Sequence, residues 1–200
     1  MAFTEPLLPG SFYHLFSRGV NREPIFHADD DYRFFLEKYA IHVVPIVDTF
    51  AYCLMGNHFH TLIQVKEHCL VAGQATPVTP QMASQAIGNC LNAYVKMFNR
   101  KYERTGSLFE RPFKRVPIKD ESHLLTVVAY IHQNPRHHGF VDDFREWPWS
   151  SFEEFFVTTP SLVERSACLH WFDGLGKFQA QHLTRRPEEG YEQLIIDDWG

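Results

Sequence analysis

An α+β fold built on an antiparallel sheet is predicted by three features of this sequence. Short β-branched and aromatic runs alternate with longer runs of helical periodicity, in the order strand, helix, strand, strand, helix, strand, helix. The two middle strands are separated only by Gly56-Asn57, a hairpin signal. An apolar content of 44% over 200 residues suffices for one buried core. No apolar run approaches the roughly 18 residues that a membrane span needs.

Each element has a local reason. "SFYHLFSRG" is aromatic-rich and closes on Gly19, which suits a short strand. The run Asp29-Asp30-Asp31 places carboxylates where a helix begins, against its free N–H groups and positive dipole end. Tyr32, Phe35, Leu36 and Tyr39 then recur at helical spacing until Pro45. "IVDTFAYCLM" and "HFHTLIQV" are the hairpin strands, and residues 66–80, with Gly73, Pro77 and Pro80, read as a loop. "PQMASQAIGNCLNAYVKMFNRKY" is a long amphipathic helix. The strand after it contains Pro112 and Pro117, so it is expected to be short or at an edge. "DESHLLTVVAYIHQN" is a helix with Asp120 near its cap and Pro135 just past its end. One hairpin between two helical crossovers is the ferredoxin-like, or RRM-like, pattern, with helices packed on one face of the sheet. The other face stays open unless something covers it, and such open faces commonly receive nucleic acid. The expected organisation is one domain over residues 1–159 and an extension of unassigned role over 160–200.

Two histidines stand out in "GNHFH". Strand side chains alternate, so His58 and His60 share a face and Phe59 points away from it. Such a pair can hold one metal ion, leaving its other positions to a third ligand, water or substrate. The competing explanation is chance, since the chain has 12 histidines. The four cysteines lack paired spacing, which argues for reduced thiols and against a zinc knuckle. The first ten residues have neither the basic region nor the apolar core of a signal peptide.

Charge is unevenly spread. Residues 96–119 hold eight basic and two acidic side chains, +6 net, which leaves −11 for the rest of a chain whose total is −5. A partner feels the local field over a Debye length of about 8–10 Å, so a basic segment on an acidic chain is compatible with a phosphate backbone. It is equally compatible with a solvated helix end and loop.

The stretches "YHLFSRGVNREPIF", "YCLMGNHFHTLIQV", "GSLFERPFKRVPI", "YIHQNPRHHGFV" and "WPWSSFEEF" occur in this order over residues 12–156. Together they resemble the single-tyrosine transposases of the HUH class (U is a hydrophobic residue), and most closely the REP-associated tyrosine transposase branch. The resemblance implies a metal-dependent endonuclease and strand transferase that cuts and rejoins single-stranded DNA near hairpins, through a 5′-phosphotyrosine. It implies Mg2+ or Mn2+ on His58 and His60, Tyr130 as nucleophile and Asn134 as the third ligand, with Gln133 and His14 as rivals for that third place. Tyr130 and Asn134 are four apart and so share a helix face. Read by itself, Tyr130 is a core aromatic on an amphipathic helix. Arg18, Arg104, Lys114, Arg115 and Arg136 sit beside the matched stretches and are the expected DNA contacts. Phe109 and Phe113 could stack on bases or simply pack. The expected partner is single-stranded or hairpin DNA, with no membrane, in a cytoplasmic, nucleoid-associated setting. The rival readings are a hairpin-binding protein without catalysis and a metal phosphohydrolase that uses water.

Overall fold

The computed structural model describes residues 5–184. Four strands, β1 (Phe12–Arg18), β2 (Val47–Met55), β3 (His58–Val65) and β6 (Lys114–Pro117), form one sheet in the order β2-β3-β1-β6, antiparallel throughout. Between β1 and β2 runs α1 (Asp29–His42), and α2 (Pro80–Lys101) leads towards β6. This is the ferredoxin-like strand order. The stretch expected as a loop instead contains a small antiparallel hairpin, β4 (His68–Val71) and β5 (Gln74–Pro77), with Cys69 buried in the core. No helix among the described residues is long and apolar enough to cross a membrane.

The sheet is covered on both faces. On one side Leu15, Phe59 and Ile63 pack against Phe35 and Tyr39 of α1 and Ile87 and Cys90 of α2. On the other lies α3 (Glu121–His137), whose residues from Leu124 to Pro135 are almost all buried. The face expected to be open therefore has a lid. Its helix starts as predicted, with the Asp120 carboxylate accepting from His123 N–H at 2.8 Å. It does not stop before Pro135 but runs on to His137. Proline costs the helix one hydrogen bond, and burial on both sides outweighs that loss.

The chain after α3 seals the edge of β2. Leu54 N–H donates to Trp149 O at 2.9 Å, Ser151 N–H to Tyr52 O at 2.9 Å and Glu164 N–H to Thr49 O at 2.7 Å. These bonds occupy backbone groups that an edge strand would otherwise expose. Two further helices follow, α4 (Arg165–Trp171) and α5 (Leu175–Thr184), with Phe178 and His182 of α5 buried in the core.

Two local devices shape the site end of the sheet. Gly19 ends β1, and a Cβ there would meet Glu23 O at 2.1 Å, so only glycine fits. Its N–H donates to Asn57 O at 2.8 Å, which ties β1 to the β2–β3 turn. In that turn neither Gly56 nor Asn57 takes a left-handed φ, contrary to the usual basis of the Gly-Asn signal. Gly56 serves through its carbonyl, which accepts from Ile25 and Phe26 N–H at 2.8 and 3.1 Å.

Candidate active site around Tyr130

Alternation along β3 and β1 assembles one face. His58 lies opposite Arg18 and His60 opposite Phe16, with His14 two residues further along β1. Lys114 of β6 is paired with Phe16 on its other side. Above this face α3 lowers Tyr130. Its ring meets His60 edge-on at 5.6 Å and His14 edge-on at 5.8 Å between centroids. Tyr130 is 2% exposed, and it faces the histidines rather than the α1–α2 side. Phe59, between the two histidines, points the other way onto Phe35 at 5.1 Å.

Hydrogen bonds fix both rings of the His-x-His pair. His58 Nδ1 donates to Asn57 Oδ1 at 2.6 Å, and His60 Nδ1 shares a hydrogen with His14 Nε2 at 2.9 Å. Holding one imidazole nitrogen on a neighbour sets which nitrogen an ion would meet, here Nε2 of each ring. Burial pushes His14 down to about 3, with His123 adding to the effect. Burial also holds His60 well below the ordinary histidine range, helped by His14, His58 and His138. Burial thus favours the neutral form of His14 and His60, the state in which an imidazole can ligate a metal.

Asn134 sits one turn beyond Tyr130, buried, with its amide N–H near Tyr130 O at 3.4 Å. Its Oδ1 and His14 Nδ1 are buried atoms without a hydrogen-bond partner among the described residues. A buried acceptor left this way is costly and marks a place where a ligand group would fit. Gln133, the first rival for the third position, points elsewhere: its amide donates to His182 O on α5. His14, the second rival, does belong to the site. Two imidazoles, a carboxamide oxygen and substrate oxygens make a donor set that suits a hard divalent ion. Among the described residues no group of three or more His, Cys, Asp or Glu is placed to hold a metal, so Asn134 or substrate must complete such a site.

The expected DNA contacts divide. Arg18 lies on the site face beside His58, in an ion pair with Glu110 at 2.7 Å. Lys114 shares that face, and Arg136 is exposed in the last turn of α3. Arg115 alternates to the opposite face, its guanidinium 5.1 Å from the Phe113 ring. Arg104 is on the α2 side, bonded to Asn99 at 3.0 Å and Glu23 at 3.2 Å. Lys101 is likewise committed, to the buried carboxylate of Asp31 at 2.7 Å. Phe109 packs in the core against Phe59 and Tyr94. Two site neighbours escaped sequence reasoning. Asn57, which holds His58, was read only as a turn residue, and His138, whose ring is 4.7 Å from that of His58, lies beyond the expected helix end.

Fold and site together define a ferredoxin-like α+β protein that sets a helix tyrosine against a strand-borne histidine pair. Comparison with known proteins finds similarity to two of them. A Haemophilus influenzae (strain Rd) protein provisionally named REP-associated tyrosine transposase is 30% identical over 113 residues, 52% of this chain and 58% of that relative. The match thus spans little more than half of the relative's length. The solved structure of a REP-associated tyrosine transposase bound to a REP hairpin superposes with a TM-score of 0.56 at 15% identity, over 84% of this chain and 96% of the other. No family model matches. The chain is therefore similar in sequence to the first protein over 113 residues and shares the fold of the second.

Proposed function

We propose that this chain nicks and rejoins single-stranded DNA beside hairpins, with Tyr130 as the nucleophile. The placement of Tyr130 against His60 and His14, on the same side of the sheet, carries this reading. Attack by the tyrosine oxygen forms an O–P bond to the scissile phosphate. The bond from phosphorus to the 3′ oxygen breaks, the tyrosine gives up its proton and the leaving oxygen takes one. The products are a 5′-phosphotyrosine and a free 3′ hydroxyl, which can reverse the step and so join strands. Water attacking in its place would forfeit that reversibility.

His58, His60 and Asn134 would hold a divalent ion, Mg2+ or Mn2+, which when bound neutralises charge on a non-bridging phosphate oxygen. The protein's own part is orientation. Asn57 and His14 set the imidazole planes, and α3 aims the tyrosine. Because Tyr130 is 2% exposed in the DNA-free chain, entry of the phosphate has to open the seam between α3 and the sheet. Closure behind it keeps water from the phosphotyrosine. Arg18 and Lys114, on the site face of the sheet, and Arg136, exposed in the last turn of α3, are the cations we assign to the DNA backbone.

The test is incubation with end-labelled hairpin DNA carrying single-stranded flanks, with Mg2+ or Mn2+, followed by denaturing electrophoresis. A covalent adduct that vanishes in Tyr130→Phe supports the reading. Nicking that survives Tyr130→Phe gives the chemistry to water, and hairpin binding without any nick identifies a binding protein.

A further inference from the structure

The "YIHQNP" stretch contains a histidine that the reaction above does not use. His132 is two residues from Tyr130, about 200° around the helix, so it faces away from the site. It is fully buried, as is His182 on α5. Their Nδ1 and Nε2 atoms are 2.8 Å apart, and His132 Nε2 is 2.8 Å from Ser151 Oγ.

Every proton in this chain of contacts can be placed. His182 Nδ1 lies 2.7 Å from Phe178 O, a carbonyl that only accepts, so that nitrogen carries the hydrogen. In a neutral ring Nε2 of His182 then accepts, and His132 Nδ1 must donate to it. His132 Nε2 in turn accepts from the Ser151 hydroxyl at 2.8 Å, the shorter of that hydroxyl's two acceptor contacts (Tyr52 O lies at 3.2 Å), and the same oxygen takes Tyr52 N–H at 2.8 Å. A single directed path thus runs from β2 through Ser151, His132 and His182 to the backbone of α5. The Gln133 amide fastens the same helix pair again at His182 O. Directed chains of this kind tolerate one arrangement, because a rotation of α3 would break the bonds of His132 to both His182 and Ser151 among fully buried groups.

We propose that His132 and His182 are positioning residues that, with Ser151, lock α3 at the rotation that faces Tyr130 towards His60. The inference rests on the reading of Tyr130 as nucleophile, and it gives residues 165–184 a role in the reaction. It differs from a purely structural role in one respect. Loss of the directed bond should misplace Tyr130 in a chain that is still folded.

The experiment compares His182→Leu, which fills the space without an acceptor, with His182→Gln, which keeps an acceptor near the Nε2 position. Both are studied below their melting transitions, with Ser151→Ala as the milder variant should His182→Leu fail to fold. Three quantities are read: hairpin affinity, single-turnover adduct rate, and the fluorine resonance of 3-fluorotyrosine at position 130, assigned by its loss in Tyr130→Phe. The expected result for His182→Leu is an adduct rate lowered about ten-fold or more, the scale of a small misplacement. Affinity should stay within about two-fold, and the fluorine resonance should broaden or split. His182→Gln should recover most of the rate and a single resonance. Equal losses in both variants, or an unchanged rate and resonance in His182→Leu, overturn the proposal. Should the wild-type chain form no adduct, the nucleophile reading fails. The fluorine resonance alone then decides whether the chain of contacts sets the tyrosine's position.

Discussion

Helix α3 lies between two buried histidine pairs of nearly the same geometry. On its sheet side His14 and His60 are 2.9 Å apart between nitrogens, with ring centroids at 5.0 Å. On its α5 side His132 and His182 are 2.8 Å apart, again with centroids at 5.0 Å. Burial drives the titration of His60 and of His132 far below the usual range, so neither pair is a charge store. They differ in how they end. The His132 pair terminates in Ser151 on one side and Phe178 O on the other, and each polar atom has its partner. The sheet-side pair terminates in His14 Nδ1, which is without a hydrogen-bond partner among the described residues, as is Asn134 Oδ1 on α3. Completed networks hold a fold together, whereas incomplete ones cost stability and persist where a ligand finishes them. The comparison supports the proposed division, with chemistry on one side of α3 and positioning on the other.

The largest effect that could break this assignment is at Tyr130. Tyr130→Phe should lower adduct formation by more than about 10³-fold, the scale of losing a nucleophile, with the circular dichroism melt and hairpin affinity unchanged. Wild-type nicking by that variant would remove the sheet side from the chemistry. Next is the double change His58→Ala with His60→Ala. Losing several kcal/mol of charge stabilisation corresponds to on the order of 10³-fold in rate, measured as single-turnover cleavage with Mn2+. Asn134→Ala should cost about 10–100-fold, the range for supporting contacts at metal sites. An equal loss in Asn134→Ala and in Gln133→Ala would contradict their placement on different sides of the helix.

Stability should reverse the ranking. His132→Ala strands the Ser151 hydroxyl and His182 Nε2 and opens a cavity. It should destabilise by about 1–3 kcal/mol from the unpaired buried groups alone. His58 is only half-buried, so His58→Ala should stay within about 1 kcal/mol. At about 2–4 °C per kcal/mol for a chain of this size, the two melts separate clearly. Equal melts would mean that the completeness of the His132 network carries no structural weight.

How much of this could be read from the sequence follows from the range of the interactions. The strand order rests on local signals: the β2–β3 hairpin, the Asp29-Asp30-Asp31 helix start and the proline-limited β6. All of these are short-range patterns, and all reappear in the fold. His58 and His60 share a face because the strand period is two, which needs no tertiary knowledge. The β4–β5 hairpin was not legible because its strands are four residues long, mostly exposed, and carry no alternating pattern. The continuation of α3 through Pro135 is a tertiary effect, since local rules favour an earlier stop. His182 lies 50 residues from His132, and α5 gives no periodic signal that would pair them. Arg104 and Lys101 look like DNA contacts in a linear charge count, but Glu23 and Asp31 meet them only in the folded chain.

That last point yields the smallest effect and the finest test of which face meets DNA. Binding to a single-stranded or hairpin flank should weaken linearly in log–log terms with salt, by about 0.7–0.9 per phosphate neutralised. Arg136 is exposed at the end of α3, and Lys114 shares the face of His60 through its pairing with Phe16. Alanine at either should remove about one unit of that slope and weaken all sequences alike. Arg104 is held by Glu23 and Asn99 on the α2 side, so Arg104→Ala should leave the slope where it was. Fluorescence anisotropy of a labelled hairpin between about 50 and 200 mM salt resolves a change of one ion. A slope reduced by Arg104→Ala and untouched by Lys114→Ala would move the DNA to the α1–α2 side. Tyr130 would then be out of reach of any phosphate, and α3 would hold two structural networks rather than one.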